Sequence, residues 1–566
     1  MEENQQYKLS VFDKQYNEYY YTNVYTNVII DSDGTIDPAQ SKLFSGDIFV
    51  VDSNKKLHTL DSPVRCKSYI AGVLMIHDGR TYGRTSNKKR LLYKCIPDDN
   101  QYPAFLIPYE VTQGFSKYIQ NKYVLFKFVE WPEKSKHPHG ILTEVLGDVG
   151  DLKTFYEYRI YCKNLFVSFR QLMTEFSNKK MTKLDTENIQ KKYYLDSRKS
   201  QYTFTIDPPK SVDYDDAFSI NKLNNNVYKV SVHISNVAMV LEHLNLWSYL
   251  SEKVATIYLP DQPRHMLPLS FSQKACSLVQ NEERVCLSMD VYVDMENKKI
   301  THTDFTHTLV CVDRNYMYEE PDLLNNDKYD SLLKVTKELD STVTTSNEVV
   351  AYWMMKMNIM CGKKLALYKT GIFKTLCLKT SKTVPQEFSS EVRNVIRNWN
   401  NVSSKYQLFG GNILHQIMDV EYYCHITSPI RRIVDIVNQL LFMKYLKNIE
   451  NLSENSEDFC QKWLYKIEYI NVSMKNIRKI QNDCILLDRV ESNPEILENH
   501  YSGVVFDRKH KHQTTYSHMV FIEDLNVLLQ LNTSKNIENY QTHIFKLFMF
   551  EDEYNIKRKI RLQLIE

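Results

Sequence analysis

The segment YTFTIDPPKSVDYDDAFSI, Tyr202 to Ile220, constrains this chain more tightly than any other. Tyr202, Phe204 and Ile206 alternate with Thr203, Thr205 and Asp207, the pattern of a half-buried strand whose polar face ends at an aspartate. Pro208 and Pro209 cannot donate to a ladder, so the strand stops and the chain enters a loop. That loop returns Asp213, Asp215 and Asp216 toward Asp207 before a second strand, AFSI, begins. Four carboxylates focused on one point repel one another unless a cation neutralises them. Hard oxygen ligands select Mg²⁺, or Mn²⁺, over softer metals. Two such ions about 4 Å apart can activate a water and stabilise the leaving oxygen of a phosphodiester. A calcium loop of the EF-hand kind is excluded, because it needs a Glu at its twelfth position. Counting from Asp207 that position is Phe218, and from Asp213 it is Asn224.

The 566 residues correspond to roughly three to four domains. With 71 Lys+Arg against 69 Asp+Glu the net charge is +2, so a polyanion must be held by local patches rather than by a global basic field. The 43% hydrophobic and 25% charged fractions exclude a disordered or collagen-like chain. Only 14 residues are Gly, and neither G-x-x-x-x-G-K-[ST] nor G-x-G-x-x-G occurs, which excludes the glycine-rich phosphate loops. Eleven cysteines without a C-x-x-C pair read as reduced thiols of a cytosolic protein. The start MEENQQYKLSVFDKQ is neither a signal nor a transit peptide, and no apolar run is long enough to span a membrane.

Along the chain, short apolar runs such as DIFVVD (Asp47 to Asp52) and KYVLFKFVEW (Lys122 to Trp131), broken by turn residues, predict small β-barrels. The basic segment GRTSNKKRLLYK, Gly83 to Lys94, suits a nucleic-acid-facing surface and equally a solvated loop. The expected plan is a first barrel over 1–75 and a second over 76–165. A helical linker without a strong apolar face follows over 166–190. A large α+β domain, strands first and helices after, spans 191–495, and a C-terminal barrel over 496–566 closes on Lys557, Arg558, Lys559 and Arg561. The fold class is thus multidomain, three small barrels of OB or cold-shock type around one large α+β domain.

The string T-I-D-P-x-x-x-x-D-x-D-D-A resembles the signature of the ribonuclease II/ribonuclease R family of 3′-to-5′ exoribonucleases, known by its RNB catalytic domain. The likeness continues in VHISNVAMVL (Val232 to Leu241), in IYLPDQPRHMLPLSFSQKACSLVQNEERVCLSMDV (Ile257 to Val291) and in YYCHITSPIRRIVDIVNQLL (Tyr422 to Leu441). The family's plan of two cold-shock barrels, a catalytic domain and a last RNA-binding barrel matches the plan read above. The resemblance implies that Asp207, Asp213 and Asp216 are the principal ligands of the catalytic Mg²⁺ ions. Asp215, also in the metal site, matches an aspartate required for cleavage and not for RNA binding. Tyr258 matches a tyrosine that stacks on the 3′ end of the RNA, and Tyr318 matches either a second clamp aromatic or a core tyrosine. Arg431 matches an arginine on the scissile phosphate, and Arg432 is either a further RNA contact or a salt-bridge partner.

Read physically, Thr427 or Ser428 is a natural N-cap, and Pro429 suits the first helical position. Ile430, Val434, Val437 and Leu441 then form an apolar face, leaving Arg431, Asp435 and Asn438 together on another. Three positions depart from the family: Asn236 for Asp, Gln439 for His and Ile433 for Tyr. Their expected effect is on rate or product length. The implied protein is a monomer acting on single-stranded RNA with a free 3′ end, away from membranes, in the cytoplasm (a host's, if the source is viral). Docking to an exosome is not implied. An RNA-binding regulator without turnover and a metal-dependent nuclease acting on DNA stay open as alternatives.

Overall fold

The structure, a computed structural model, describes residues 5–565 apart from 31–35, 53–55, 86, 88, 112–118, 180–182, 225, 378–383, 401–402, 411–412, 417, 447–451, 513–514 and 553–557. Ser86 and Lys88 of the basic segment and Lys557 of the C-terminal basic cluster therefore lie outside the described residues. The chain forms two compact units, 1–166 with 482–501 and 544–566, and 167–481 with 502–543. Among the described residues no helix is long and apolar enough to cross a membrane.

In the first unit, Tyr7–Val11 buries Tyr7, Leu9 and Val11 against Tyr21 and Phe49, which gives a five-stranded sheet its core. The next five strands close into a barrel, with His139–Asp148, Phe105–Tyr109, Leu91–Pro97, Ile70–Leu74 and Lys122–Glu130 as successive neighbours. Phe105, Ile107, Val124 and Phe126 fill its interior. Gly72 is required there, since a Cβ would lie 2.7 Å from the Ile96 carbonyl oxygen. Ile70–Leu74 belongs to this barrel, so the boundary expected at 75/76 falls earlier, before residue 70. Among the described residues closure is found in this set, and the first set is a sheet.

The C-terminal strands divide between the units. His500–His512, Thr515–Ile522 and Val527–Thr533 pair in succession, and Thr542–Glu551 pairs with Arg558–Leu564. Residues 502–543 belong to the second unit and 544–566 to the first.

The second unit is built on a seven-stranded sheet. Its order is Asp196–Ser197, Lys299–Cys311, Glu283–Asp294, Val227–Ser235, Asp216–Lys222, Phe204–Asp207 and Arg314–Met317. Pairing is antiparallel in the middle and parallel at both edges. Phe204–Asp207 is not half-buried as its alternation suggests, because Thr203 and Thr205 are buried too. Asn315 Nδ2 donates to Thr205 Oγ1 at 2.9 Å, which satisfies the hydroxyl inside. Arg198 forks onto Asp290 at 2.7 and 2.8 Å, with Ser231 Oγ donating to the same carboxylate at 2.6 Å.

Helices follow the strands, as expected. The helix Ser346–Leu367 starts with a capping box between Thr345 and Glu348, a device worth about 1 kcal/mol. It buries Trp353, Met357 and Leu365 in the core that Ile433–Tyr445 also joins. The expected linker is two helices, Arg170–Lys179 and Lys183–Tyr193. Its absence of an apolar face is corrected: Leu172 with Phe176, and Ile189 with Tyr193, are i,i+4 pairs packed into the main core.

Candidate active site

Asp207 ends one strand and Asp216 begins its antiparallel neighbour, so the Phe204↔Phe218 pairing brings the two carboxylates to one end of the sheet. The loop between them is held from both sides. Ser211 N donates to the Pro208 carbonyl at 3.2 Å, Tyr214 N to Ser277 Oγ at 2.9 Å, and Ser235 N to the Asp215 carbonyl at 2.9 Å. Lys210 supplies the left-handed turn, φ 68°.

The four aspartates fall into two kinds. Asp213 accepts from Ser272 Oγ at 2.8 Å and faces His265 Nδ1 at 3.1 Å. Asp215 accepts from Ile430 N at 3.0 Å and from Arg431 Nε at 3.1 Å. Asp207 Oδ2, by contrast, is buried with no hydrogen-bond partner. Burial pushes the Asp207 carboxyl up to about 7, with the charge of Asp215 adding to it. Asp216 is pushed well above the carboxylate range by burial and by Asp207 and Asp215. Burial also raises Asp215 to about 6, although Arg431 and the Ile430 amide pull it down.

Among the described residues no three His, Cys, Asp or Glu side chains converge as a ready-made metal cage. What fits a hard cation is the Asp207–Asp216 pair, an all-oxygen donor set with one oxygen that nothing else satisfies.

The basic side of the site comes from the turn before the helix Ile433–Tyr445. Here the expected helix start is corrected. The N-cap is Arg432, extended at φ −141°, ψ 128°, and not Thr427 or Ser428. The reason is a long-range pairing: Thr256 N donates to the Arg431 carbonyl, Ile433 N donates to the Val254 carbonyl, and Ala255 bridges Arg432. Arg431 therefore sits outside the helix, whereas Asp435 and Asn438 are buried within it. The same pairing brings Tyr258, 44% exposed, beside Arg431 and Asp215. Arg431 Nη2 donates to Ser428 Oγ at 3.0 Å.

Tyr318 N donates to the Asp207 carbonyl at 3.0 Å, and burial, then Asp216 and Asp207, push its hydroxyl up to about 12. Arg432 Nη2 pairs with Asp435 Oδ1 at 2.9 Å, which realises the salt-bridge reading, and its Nε is buried without a partner. The structure thus gathers all four aspartates, Tyr258, Tyr318 and Arg431 around one place in the second unit.

Three residues escaped the sequence reading. Asn358 holds the 423–427 segment: its Oδ1 accepts from Ile426 N at 3.0 Å, and its Nδ2 donates to Tyr423 Oη at 3.1 Å and Thr427 Oγ1 at 3.4 Å. Gly362, one turn on, leaves room for the Tyr422 carbonyl, which a Cβ would meet at 2.8 Å. His265 was hidden because its partner, Asp213, is remote in sequence. A polar residue on the apolar stripe of a long helix was the signal for Asn358. Of the departures from the family, Asn236 caps its helix through Met239 N at 3.0 Å, and Gln439 Nε2 donates to the Ser235 carbonyl at 2.7 Å. Both are buried supports of the fold.

Residues 196–352 match the RNB domain, and residues 92–158 match the Dis3-like cold-shock domain 2. Ribonuclease R of Aquifex aeolicus is 25% identical over 286 residues, 49% of this chain and 38% of that protein. The mouse exosome complex exonuclease RRP44 is 26% identical over 226 residues, 40% of this chain and 23% of that protein. The chain thus spans well under two thirds of these relatives. In fold it is similar to Mycoplasma genitalium RNase R in complex with ribose methylated single-stranded RNA, with TM-score 0.68 and 14% identity, covering 99% of this chain and 100% of that one. It is also similar to yeast Ssd1, a pseudonuclease, with TM-score 0.57 and 14% identity over 93% of this chain and 78% of that one.

Proposed function

We propose that this chain, which carries the RNB domain and the Dis3-like cold-shock domain of the ribonuclease II/ribonuclease R family, is a 3′-to-5′ exoribonuclease that hydrolyses single-stranded RNA to nucleoside 5′-monophosphates. The observation that carries this reading is the pairing of Arg431 with Asp215 beside two carboxylates, Asp207 and Asp216, that burial leaves in need of a cation.

Asp207 and Asp216, joined by Asp213 and Asp215, would hold Mg²⁺ or Mn²⁺. When bound, that metal activates water for attack and stabilises the leaving oxygen. Asp215 holds Arg431 through Nε and Ser428 holds it through Nη2, which sets the plane of the guanidinium that would bind the scissile phosphate. It is already oriented when charge develops on the phosphoryl oxygens, which is where such a contact lowers the barrier. Tyr258 offers an exposed face for the terminal base, and Tyr318 lines the wall beside Asp207. Stacking is worth roughly 1–3 kcal/mol per base and tolerates every base, as a sequence-indifferent exonuclease requires. Arg432 lends charge to the same strand. The protein works as a cytoplasmic monomer on RNA with a free 3′ end.

The likeness to a pseudonuclease keeps a binding protein without turnover as the second reading. The test is a 5′-labelled single-stranded RNA, and the matching DNA, incubated with Mg²⁺ beside an Asp215→Asn variant and an EDTA control. The expected result is a ladder shortening from the 3′ end of the RNA only, absent in both controls. RNA that is bound and left whole supports the second reading, and equal digestion of DNA supports a DNA nuclease.

A further inference from the structure

Of the four aspartates, Asp207 and Asp216 are placed by paired strands. Asp215 is placed by backbone bonds, its carbonyl to Ser235 N and its carboxylate to Ile430 N. Asp213 lies in the loop between the strands, and its carboxylate is held instead by two side chains of the 257–272 segment. His265 Nδ1 is 3.1 Å from Oδ2, and Ser272 Oγ donates to Oδ1 at 2.8 Å. A carboxylate oxygen in such a pair accepts, so His265 Nδ1 carries the hydrogen and donates it.

The segment that supplies these donors is itself braced. Arg264 forks onto Asp261 through Nη1 and Nη2, at 2.8 Å each, which closes the hairpin of Ile257–Tyr258 and Pro263–Arg264. Met266, the residue after His265, is buried, and its amide donates to Thr256 Oγ1 at 2.9 Å. Leu267 and Phe271 are buried as well. His265 is thus fixed between a closed hairpin and an anchored backbone.

Two donors, one on each oxygen, keep the Asp213 carboxylate from turning about its side-chain torsions. Each oxygen retains a second lone pair for a cation. A carboxylate ordered in advance gives up less freedom when the ion arrives, and loss of such an outer partner typically costs about 10- to 100-fold in metal affinity or activity. None of the roles that the family resemblance implies falls on His265.

We propose that His265 is a positioning residue for the metal site: through Nδ1–H it holds Asp213 in the orientation that takes the divalent cation, and it has no contact with RNA. The inference rests on the exoribonuclease reading and adds to it the side chain that readies the loop aspartate.

The test is calorimetric titration of Mn²⁺ into the RNA-free full chain, for wild type and for His265→Leu, His265→Asn and His265→Gln. The Asn amide nitrogen is bonded to the γ carbon, as Nδ1 is, whereas the Gln amide nitrogen stands one bond further out. His265→Leu and His265→Gln should therefore weaken Mn²⁺ binding on the order of 10- to 100-fold, and His265→Asn should restore most of it. Anisotropy of a fluorescent oligouridylate in EDTA should give the same Kd for all four proteins, and the melting temperature in EDTA should not fall. Undiminished Mn²⁺ affinity in His265→Leu overturns the inference and leaves the exoribonuclease reading intact. So does a loss that His265→Asn fails to restore, or a weaker RNA Kd in EDTA. A wild type that takes up no Mn²⁺ overturns both.

Discussion

The acidic and basic sides of this site are built on opposite principles. The strand ends hold Asp207 and Asp216 half-buried, with Arg431 only partly offsetting their charge, and Asp207 Oδ2 lacks any hydrogen-bond partner. The turn before Ile433–Tyr445 instead ties its arginines to carboxylates, Arg431 to Asp215 and Arg432 to Asp435. One side stores a demand for a ligand, and the other stores orientation. A preformed turn can wait for substrate without deforming, whereas a buried carboxylate pair favours the folded state only once a cation arrives.

The contrast can be broken residue by residue. The largest effect is expected at Asp207→Asn, which removes the unmet demand: RNA cleavage should fall on the order of 10³-fold, while the melting temperature in EDTA at alkaline pH should not fall. A drop in both would mean that Asp207 supports the fold. Next, Arg431→Lys keeps the charge and loses the fork, so kcat should fall roughly 10²-fold in single-turnover assays. Retained activity would show that orientation at the turn is unimportant.

Asn358→Ala leaves the Ile426 amide and the Thr427 and Tyr423 hydroxyls without their partner. It should cost about 1–3 kcal/mol in urea unfolding, with kcat lowered more than KM is raised. The smallest effect is in pH. Between the ordinary carboxylate range near 4 and the raised values of Asp215 and Asp207, about 6 and about 7, the folded chain binds more protons than the unfolded one. Stability in EDTA therefore declines as pH rises through that window, and Mg²⁺ should remove the decline. A melting temperature that climbs with pH in EDTA would contradict the account.

Local chemistry made the acidic side legible. An alternating strand, two prolines and a second strand leave the returning aspartates nowhere to go but back to Asp207. The order of strands and helices was legible for the same reason. The basic side was read less well, because Arg432 is drawn out of helical geometry by Val254–Thr256, a contact no local pattern encodes. The helices at 170–193 read as a linker in the sequence because each docks through a single i,i+4 pair, too narrow a stripe to stand out among lysines. Asn358 and His265 act through partners remote in sequence, so their types alone pointed to nothing.

The most direct test of the central claim is Mn²⁺ titration of RNA-free protein, followed by loss of the free-ion paramagnetic resonance signal, in wild type and in Asp207→Asn. The account predicts that wild type takes up Mn²⁺ and that the variant binds it far more weakly. Equal uptake by both, or none by wild type, would contradict the claim that the carboxylates at the strand ends, whose charge the site leaves only partly offset, are what make this site.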